Sequence, residues 1–173
     1  MTGVRLAQAA ELSLLPAIEV SAAGLFAESG MQIFPGDPSD QPADFTPVEA
    51  WRDLLERGWI WVTEDQAGAV AAFLAAEPIE QRLHILELDV HRDAQRQGLG
   101  RRLMATALAE ARAMGLRGAS LTTFRDVAWN APFYESLGFR IVDAPSGALA
   151  AFLAREAERG LEPGRRCAMV VAF

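Results

Sequence analysis

The stretch Leu83-His84-Ile85-Leu86-Glu87-Leu88-Asp89-Val90, followed by Gln95-Arg96-Gln97-Gly98-Leu99-Gly100-Arg101-Arg102, decides how this chain is read. The first part has the apolar density of a strand. The second opens an amphipathic helix, because Leu99, Leu103, Ala107 and Ala111 recur at fourfold spacing beside Met104 and Leu108. A strand that turns through glycines into a helix N-terminus makes an anion pocket. Bare backbone at Gly98 and Gly100 lets a ligand approach unpaired N–H groups, and the helix dipole favours its negative charge. Residues 92–102 hold four Arg and one Asp in a chain of net charge -7, so the local field is positive against an acidic background. The pattern predicts a phosphorylated ligand here; the plainer reading of a glycine pair is a tight turn.

Outward from that stretch, strands and helices alternate. Val4 to Leu6 begins a strand, and Ala10 to Phe26 has helical spacing with Pro16 near its start. From Glu28 to Glu49 come five carboxylates, four prolines and no Arg, which predicts a loop. A helix is expected from Pro47 to Arg57, then a hairpin pairing Trp59–Thr63 with Val70–Ala76. The helix from about Gly98 to Met114 intervenes between Leu83–Val90 and the next strand, Ala119–Phe124, so those two strands should be parallel. A short helix fits Asn130 to Leu137, with Asn130 as its cap and Gly138 as its left-handed terminator. Phe139–Val142 and Cys167–Phe173 are final strands around a helix at Gly147–Arg159.

The length of 173 residues suits one domain with a real core, and 51% apolar residues argue against disorder. The longest apolar run, Ala67 to Ala76, is too short to cross a bilayer, and Met1 to Leu6 shows no secretory pattern, so a cytoplasmic location without membrane attachment is expected. The acidic balance speaks against nucleic acid as a partner and is compatible with a cationic one. All 16 basic residues are arginine, which removes Schiff-base chemistry. Cys167 is the only cysteine and reads as a packed strand residue. His84 and His91 have no companions at metal-ligand spacing, so no metal is expected.

These elements and motifs resemble the GNAT acyltransferase superfamily, which moves an acyl group from acyl-CoA, usually to an amine. The family signature Q/R-x-x-G-x-G/A is met by Gln95 through Gly100, after the fourth strand and opening the third helix. A later strand, an Asn, an aromatic pair and a Gly-Phe turn are echoed by Leu121–Phe124, Asn130, Phe133-Tyr134 and Gly138-Phe139. Arg92 stands where the family often has a proline. The resemblance implies a single α/β domain over 1–173. Its mixed, mostly antiparallel sheet should have about seven strands, helices on both faces and one splayed parallel pair. It further implies an acetyl-CoA-binding core at 83–139 and an acceptor-side loop at 26–49. The CoA pyrophosphate would lie along Gln95 to Arg101, on the amides of Arg96, Gln97, Gly98 and Gly100, with Leu99 in the same turn and Arg101 nearby. The backbone of Leu88, Asp89 and Val90 would meet pantetheine, and the Val90 N–H would polarise the thioester carbonyl.

Acyl transfer to an amine needs two proton movements. An alkylammonium is protonated at neutral pH, and freeing its lone pair costs roughly 4.6 kcal/mol. Glu87 is the expected base, since a charge in an apolar strand is expensive without a purpose; a structural ion pair is the plainer reading. Strand alternation puts Ile85, Glu87 and Asp89 on one face, making Asp89 the reserve base. Tyr134, the only tyrosine, is placed by the resemblance to protonate the departing thiolate, against the reading of a core aromatic. Asn130 would hold a pantetheine amide as well as cap its helix. The expected activity is N-acetyl transfer to a small-molecule or peptide amine, compatible with a homodimer. The alternative is a catalytically silent acyl-CoA sensor, which needs neither Glu87 nor Tyr134. A Rossmann dinucleotide site fails, because the glycines follow the fourth strand and no acidic residue ends a strand about 20 residues on.

Overall fold

Seven strands hydrogen-bond in the order β1-β2-β3-β4-β5-β7-β6: β1 (Arg5–Leu6), β2 (Ile60–Glu64), β3 (Val70–Ile79), β4 (Arg82–Val90), β5 (Gly118–Phe124), β6 (Arg140–Val142) and β7 (Arg166–Ala172). The sheet is mixed and mostly antiparallel, with β4 and β5 its parallel pair, as expected. The helices among the described residues are α1 (Leu15–Glu28), α2 (Val48–Glu56), α3 (Leu99–Ala113), α4 (Ala131–Glu135) and α5 (Gly147–Glu158). This computed structural model describes residues 3–33 and 46–173. Positions 34–45 of the expected acceptor-side loop lie outside the described residues. The described residues divide into two compact units, one of residues 3–32, 46–77 and 86–110, the other of 33, 78–85 and 111–173.

In the first unit, Ala71 to Ala76 of β3 are all buried, which is why they read as one unbroken apolar run rather than an alternation. The predicted stripe of α3, a helix that begins in the first unit and ends in the second, is buried at Leu99, Leu103, Met104, Ala107, Leu108 and Ala111. The helix ends at Gly115, left-handed at φ 75, with Leu116 N–H donating back to the Ala111 carbonyl at 3.0 Å. The first helical segment differs from expectation. It starts as a 3-10 turn over Ala9–Leu14 and becomes α-helical only at Leu15, because Pro16 lacks an N–H and is tolerated only in a first turn. The 20 residues Ala9–Glu28 are together long and apolar enough to cross a membrane. Their midpoint is Glu19, hydrogen-bonded inside the fold, and Leu12, Leu15 and Ile18 are buried, so one face of the segment packs into the fold.

In the second unit, β5 pairs with β7 along its whole length, from Gly118↔Ala172 to Phe124↔Arg166. A Cβ at Gly118 would sit 2.1 Å from the Val171 carbonyl oxygen, so only glycine fits that crossing. The turn between β3 and β4 places Glu80 (φ 47) and Gln81 (φ 65) in the left-handed region, as a two-residue hairpin requires. Glu80 then serves the start of α5, its Oε1 accepting Ala148 N–H at 3.1 Å. The parallel ladder of β4 with β5 joins Leu83, His84 and Ile85 to Ala119, Ser120 and Leu121 and stops there, although β4 runs on to Val90. That early stop matters for the site.

Candidate active site

Beyond Ile85, β4 carries Glu87, Leu88, Asp89 and Val90 towards the glycine turn. His91 N–H donates to the Ala71 carbonyl of β3 at 2.8 Å. Backbone groups of successive strand residues face opposite edges. Asp89 therefore shares the β3 edge with His91, while Leu88 and Val90 face the other one. The Val90 carbonyl there accepts Gln95 Nε2–H at 3.2 Å. Of the three backbone positions expected to meet pantetheine, Leu88 and Val90 thus share one edge of β4 and Asp89 the other.

The side chains of Glu87 and Asp89 share one face, as alternation predicts, and a third carboxylate joins them from α1. Oxygens of Glu19, Glu87 and Asp89 all lie within 4.8 Å of one another. Glu19 is 6% exposed and accepts Thr46 N–H at 2.6 Å and Trp51 Nε1–H at 3.2 Å. Burial raises its carboxyl above the usual range, against the pull of those hydrogen bonds. Asp89 is held well above the usual range, first by burial, then by the charges of Glu87 and Glu19 and by its hydrogen bond with Glu87. The Asp89 carboxyl therefore holds its proton to higher pH than an ordinary carboxyl. Glu19 was missed by sequence reasoning, although a signal existed: it is the only charged residue between Glu11 and Glu28.

After β4, Arg92–Ala94 form a 3-10 turn, with Arg92 N–H donating to Ser21 Oγ at 3.0 Å and its guanidinium paired with Glu28. Arg96 (φ 61) and Gly98 (φ 77) are left-handed, a conformation costing a non-glycine residue about 1 kcal/mol. Gly98 faces open space: a Cβ built there would meet nothing within 4 Å. The first helical bond of α3 runs from Arg102 N–H to the Gly98 carbonyl at 3.0 Å, so the Leu99 and Gly100 N–H groups have no helical acceptor. Gln97 Nε2–H reaches back to the Asp93 carbonyl at 3.3 Å and steadies the turn. Arg101 is exposed; one step on, Arg102 has its Nε buried without a hydrogen-bond partner among the described residues.

In the second unit, Tyr134 lies in α4, its ring edge-on to Phe133 (5.1 Å) and Phe139 (5.9 Å), with its N–H donating to the Asn130 carbonyl at 3.1 Å. Asn130 corrects an expectation. Its side chain makes no cap hydrogen bond, and its Nδ2 is buried with no partner among the described residues. An orphaned buried donor typically costs about 1–3 kcal/mol and calls for an acceptor from outside. α4 is also shorter than expected, five residues instead of eight. The first unit thus groups Glu87, Leu88, Asp89, Val90 and Gln95–Arg101, and the second holds Asn130 and Tyr134. In the first unit, a left-handed turn open at Gly98 offers what a phosphate uses; in the second, an unanswered amide donor offers what an amide carbonyl uses.

The sequence profile of the acetyltransferase (GNAT) family matches residues 27–139. The chain belongs to that family. Members of the GNAT family use acetyl-CoA and need no metal. Solved GNAT structures share the fold of this chain at low identity. The PaiA N-acetyltransferase of Thermoplasma acidophilum, solved with coenzyme A, is 13% identical, with 100% of this chain and 99% of that one aligned at TM-score 0.69. Ard1 of Thermoplasma volcanium is 18% identical over 99% and 97%, at 0.68. The ribosomal-protein-S18-alanine N-acetyltransferase of Escherichia coli is 18% identical over 99% and 94%, at 0.61.

Proposed function

We propose that this GNAT protein transfers an acetyl group from acetyl-CoA to a primary amine of a small molecule or peptide, by direct attack while both substrates are bound. The reading rests on family membership for the donor and on the carboxylates of Glu19, Glu87 and Asp89 for the acceptor. That acidic group attracts an ammonium, and Glu87 accepts its proton directly or through water. The freed nitrogen attacks the thioester carbon. Val90 N–H then faces the developing oxyanion, a role worth about 3 kcal/mol per donor. As the C–S bond breaks, Tyr134 gives its phenolic proton to the leaving thiolate, and the second proton shed by the new amide nitrogen passes through water to the phenolate. The diphosphate seat runs from Gln95 to Arg101, and Asn130 Nδ2–H answers a pantetheine carbonyl. Cys167 takes no part: it is buried in β7, and burial pushes its thiol up, away from the nucleophilic thiolate.

The test is thiol release from acetyl-CoA with a panel of polyamines, aminoglycosides and lysine peptides. Glu87→Gln should flatten the basic rise of the pH–rate profile, and Tyr134→Phe should slow turnover at least tenfold with coenzyme A binding retained. Coenzyme A binding without turnover on any amine would replace this reading with a silent sensor.

A further inference from the structure

A cavity of about 350 Å³ lies within the second unit, and none of the residues assigned above to acetyl-CoA or the amine lines it. Its volume is in the range of small-molecule pockets. Two buried polar side chains line it: His84 of β4, 2% exposed, and Ser120 of β5, 4% exposed, joined by a 3.0 Å hydrogen bond between His84 Nδ1 and Ser120 Oγ. The imidazole is clamped against Phe152 of α5, ring centres 4.0 Å apart and 14° from parallel, so its orientation is set before any ligand arrives. Burial keeps the ring neutral. Apolar wall is supplied by Ile79, Ile141, Leu149 and Val170.

The charges around this space are unevenly committed. The Glu80 carboxylate is occupied by Ala148 N–H at the start of α5. Asp143 and Arg140 are exposed at the rim, and Arg82 is half-buried. Arg82 and Arg140 also line the cavity, and neither has an ion pair or a side-chain hydrogen bond among the described residues. Elsewhere in the same unit arginines are engaged: Arg166 with Glu156, Arg165 with Asp126, Arg112 and Arg155 on the rings of Phe173 and Phe152. Two unspent guanidiniums beside an apolar wall and a preset neutral imidazole match one chemistry: a single carboxylate on an apolar body. A guanidinium binds a carboxylate through paired N–H donors, whereas a neutral amide forfeits the charge.

We infer that this cavity is a second ligand site, taking a small organic monocarboxylate whose head lies between Arg82 and Arg140 and whose apolar body rests on the Ile79–Val170 wall. The probes are 3-phenylpropanoate, 3-phenylpropanamide and 3-phenylpropylamine, titrated into the full chain with the ring signals of its two histidines followed by NMR; His84→Gln identifies the His84 signal. The carboxylate should move the His84 signal and bind at least tenfold more tightly than the amide. Arg82→Gln and Arg140→Gln should each weaken it several-fold, the double variant at least tenfold, with Arg159→Gln as an unaffected control. The inference is overturned if the His84 signal does not move at 10 mM carboxylate. It is equally overturned if amide or amine binds as well, or if the double variant binds unchanged. Acetyl transfer is assayed separately and does not depend on the outcome.

Discussion

His84 makes the acid limb of this protein's stability predictable. It is nearly fully buried, and burial pushes its imidazole from 6.5 down to about 4; the Glu156 charge opposes that shift and the Arg155 charge adds to it. A depressed folded-state value means the stabilisation is complete above 6.5 and is lost as pH falls through about 4, because the unfolded chain takes up a proton the folded one refuses. Between pH 7 and pH 5 this single group should remove about 2 kcal/mol. Glu19 and Asp89, raised rather than lowered, act in the opposite sense, so the wild-type profile alone mixes the terms. Comparison with His84→Gln separates them, since glutamine offers Ser120 a hydrogen bond but does not titrate. Urea unfolding at both pH values should show the wild type losing about 2 kcal/mol more than the variant. A difference below roughly 0.5 kcal/mol, or a His84 ring that titrates near its ordinary value by NMR, would refute the reasoning.

Three further outcomes follow from the site. Glu19→Gln deletes a buried charge but keeps an acceptor for only one of the two donors, Thr46 N–H and Trp51 Nε1–H. Its midpoint temperature relative to the wild type should rise between pH 4 and pH 8, because a raised carboxyl loses its contribution as pH rises. Asn130→Ala removes an orphaned donor, so the free protein should be unchanged or up to about 1 kcal/mol more stable by thermal unfolding, while the stabilisation given by added coenzyme A shrinks. Dialysis against a chelator should leave turnover unchanged; a loss restored by a divalent cation would show that Glu19, Glu87 and Asp89 hold an ion instead of a proton.

What the sequence revealed followed from local periodicity. The stripe of α3, its glycine stop and the strand before it are set by spacing within a few turns, and each was found where the pattern put it. The parallel relation of β4 and β5 followed from the helix between them. What stayed hidden depends on partners distant in sequence. Glu80 looks like an ordinary turn residue until α5 places Ala148 above it, 68 positions away. His84 looked idle because Phe152, Ser120 and Arg140 come together only in the folded second unit. Asn130 was read as a cap by residue type alone, yet backbone angles of φ -108 and ψ -100 turn its side chain away from that task.

The choice between Glu87 and Asp89 as base shows how such a distant partner changes chemistry. On the strand alone the two carboxylates are near-equivalent, two residues apart on one face. Glu19 breaks the symmetry. Brought from α1 and held by Thr46 and Trp51, it adds a third carboxylate to a space where burial already penalises charge. Like charges within 4.8 Å disfavour one another's ionisation, burial and both neighbours raise the Asp89 carboxyl, and we assign the retained proton to it. A carboxyl that already carries a proton cannot take one from an ammonium. Asp89 instead donates its hydrogen bond to Glu87 and holds that carboxylate in place, which supports Glu87 as the proton acceptor. The same logic gives Asp89→Asn a distinctive outcome: the amide still donates to Glu87, so turnover should survive, whereas Glu87→Gln leaves no acceptor and should not. If Asp89→Asn were the more damaging of the two in thiol-release assays, the proton would have been assigned to the wrong carboxylate.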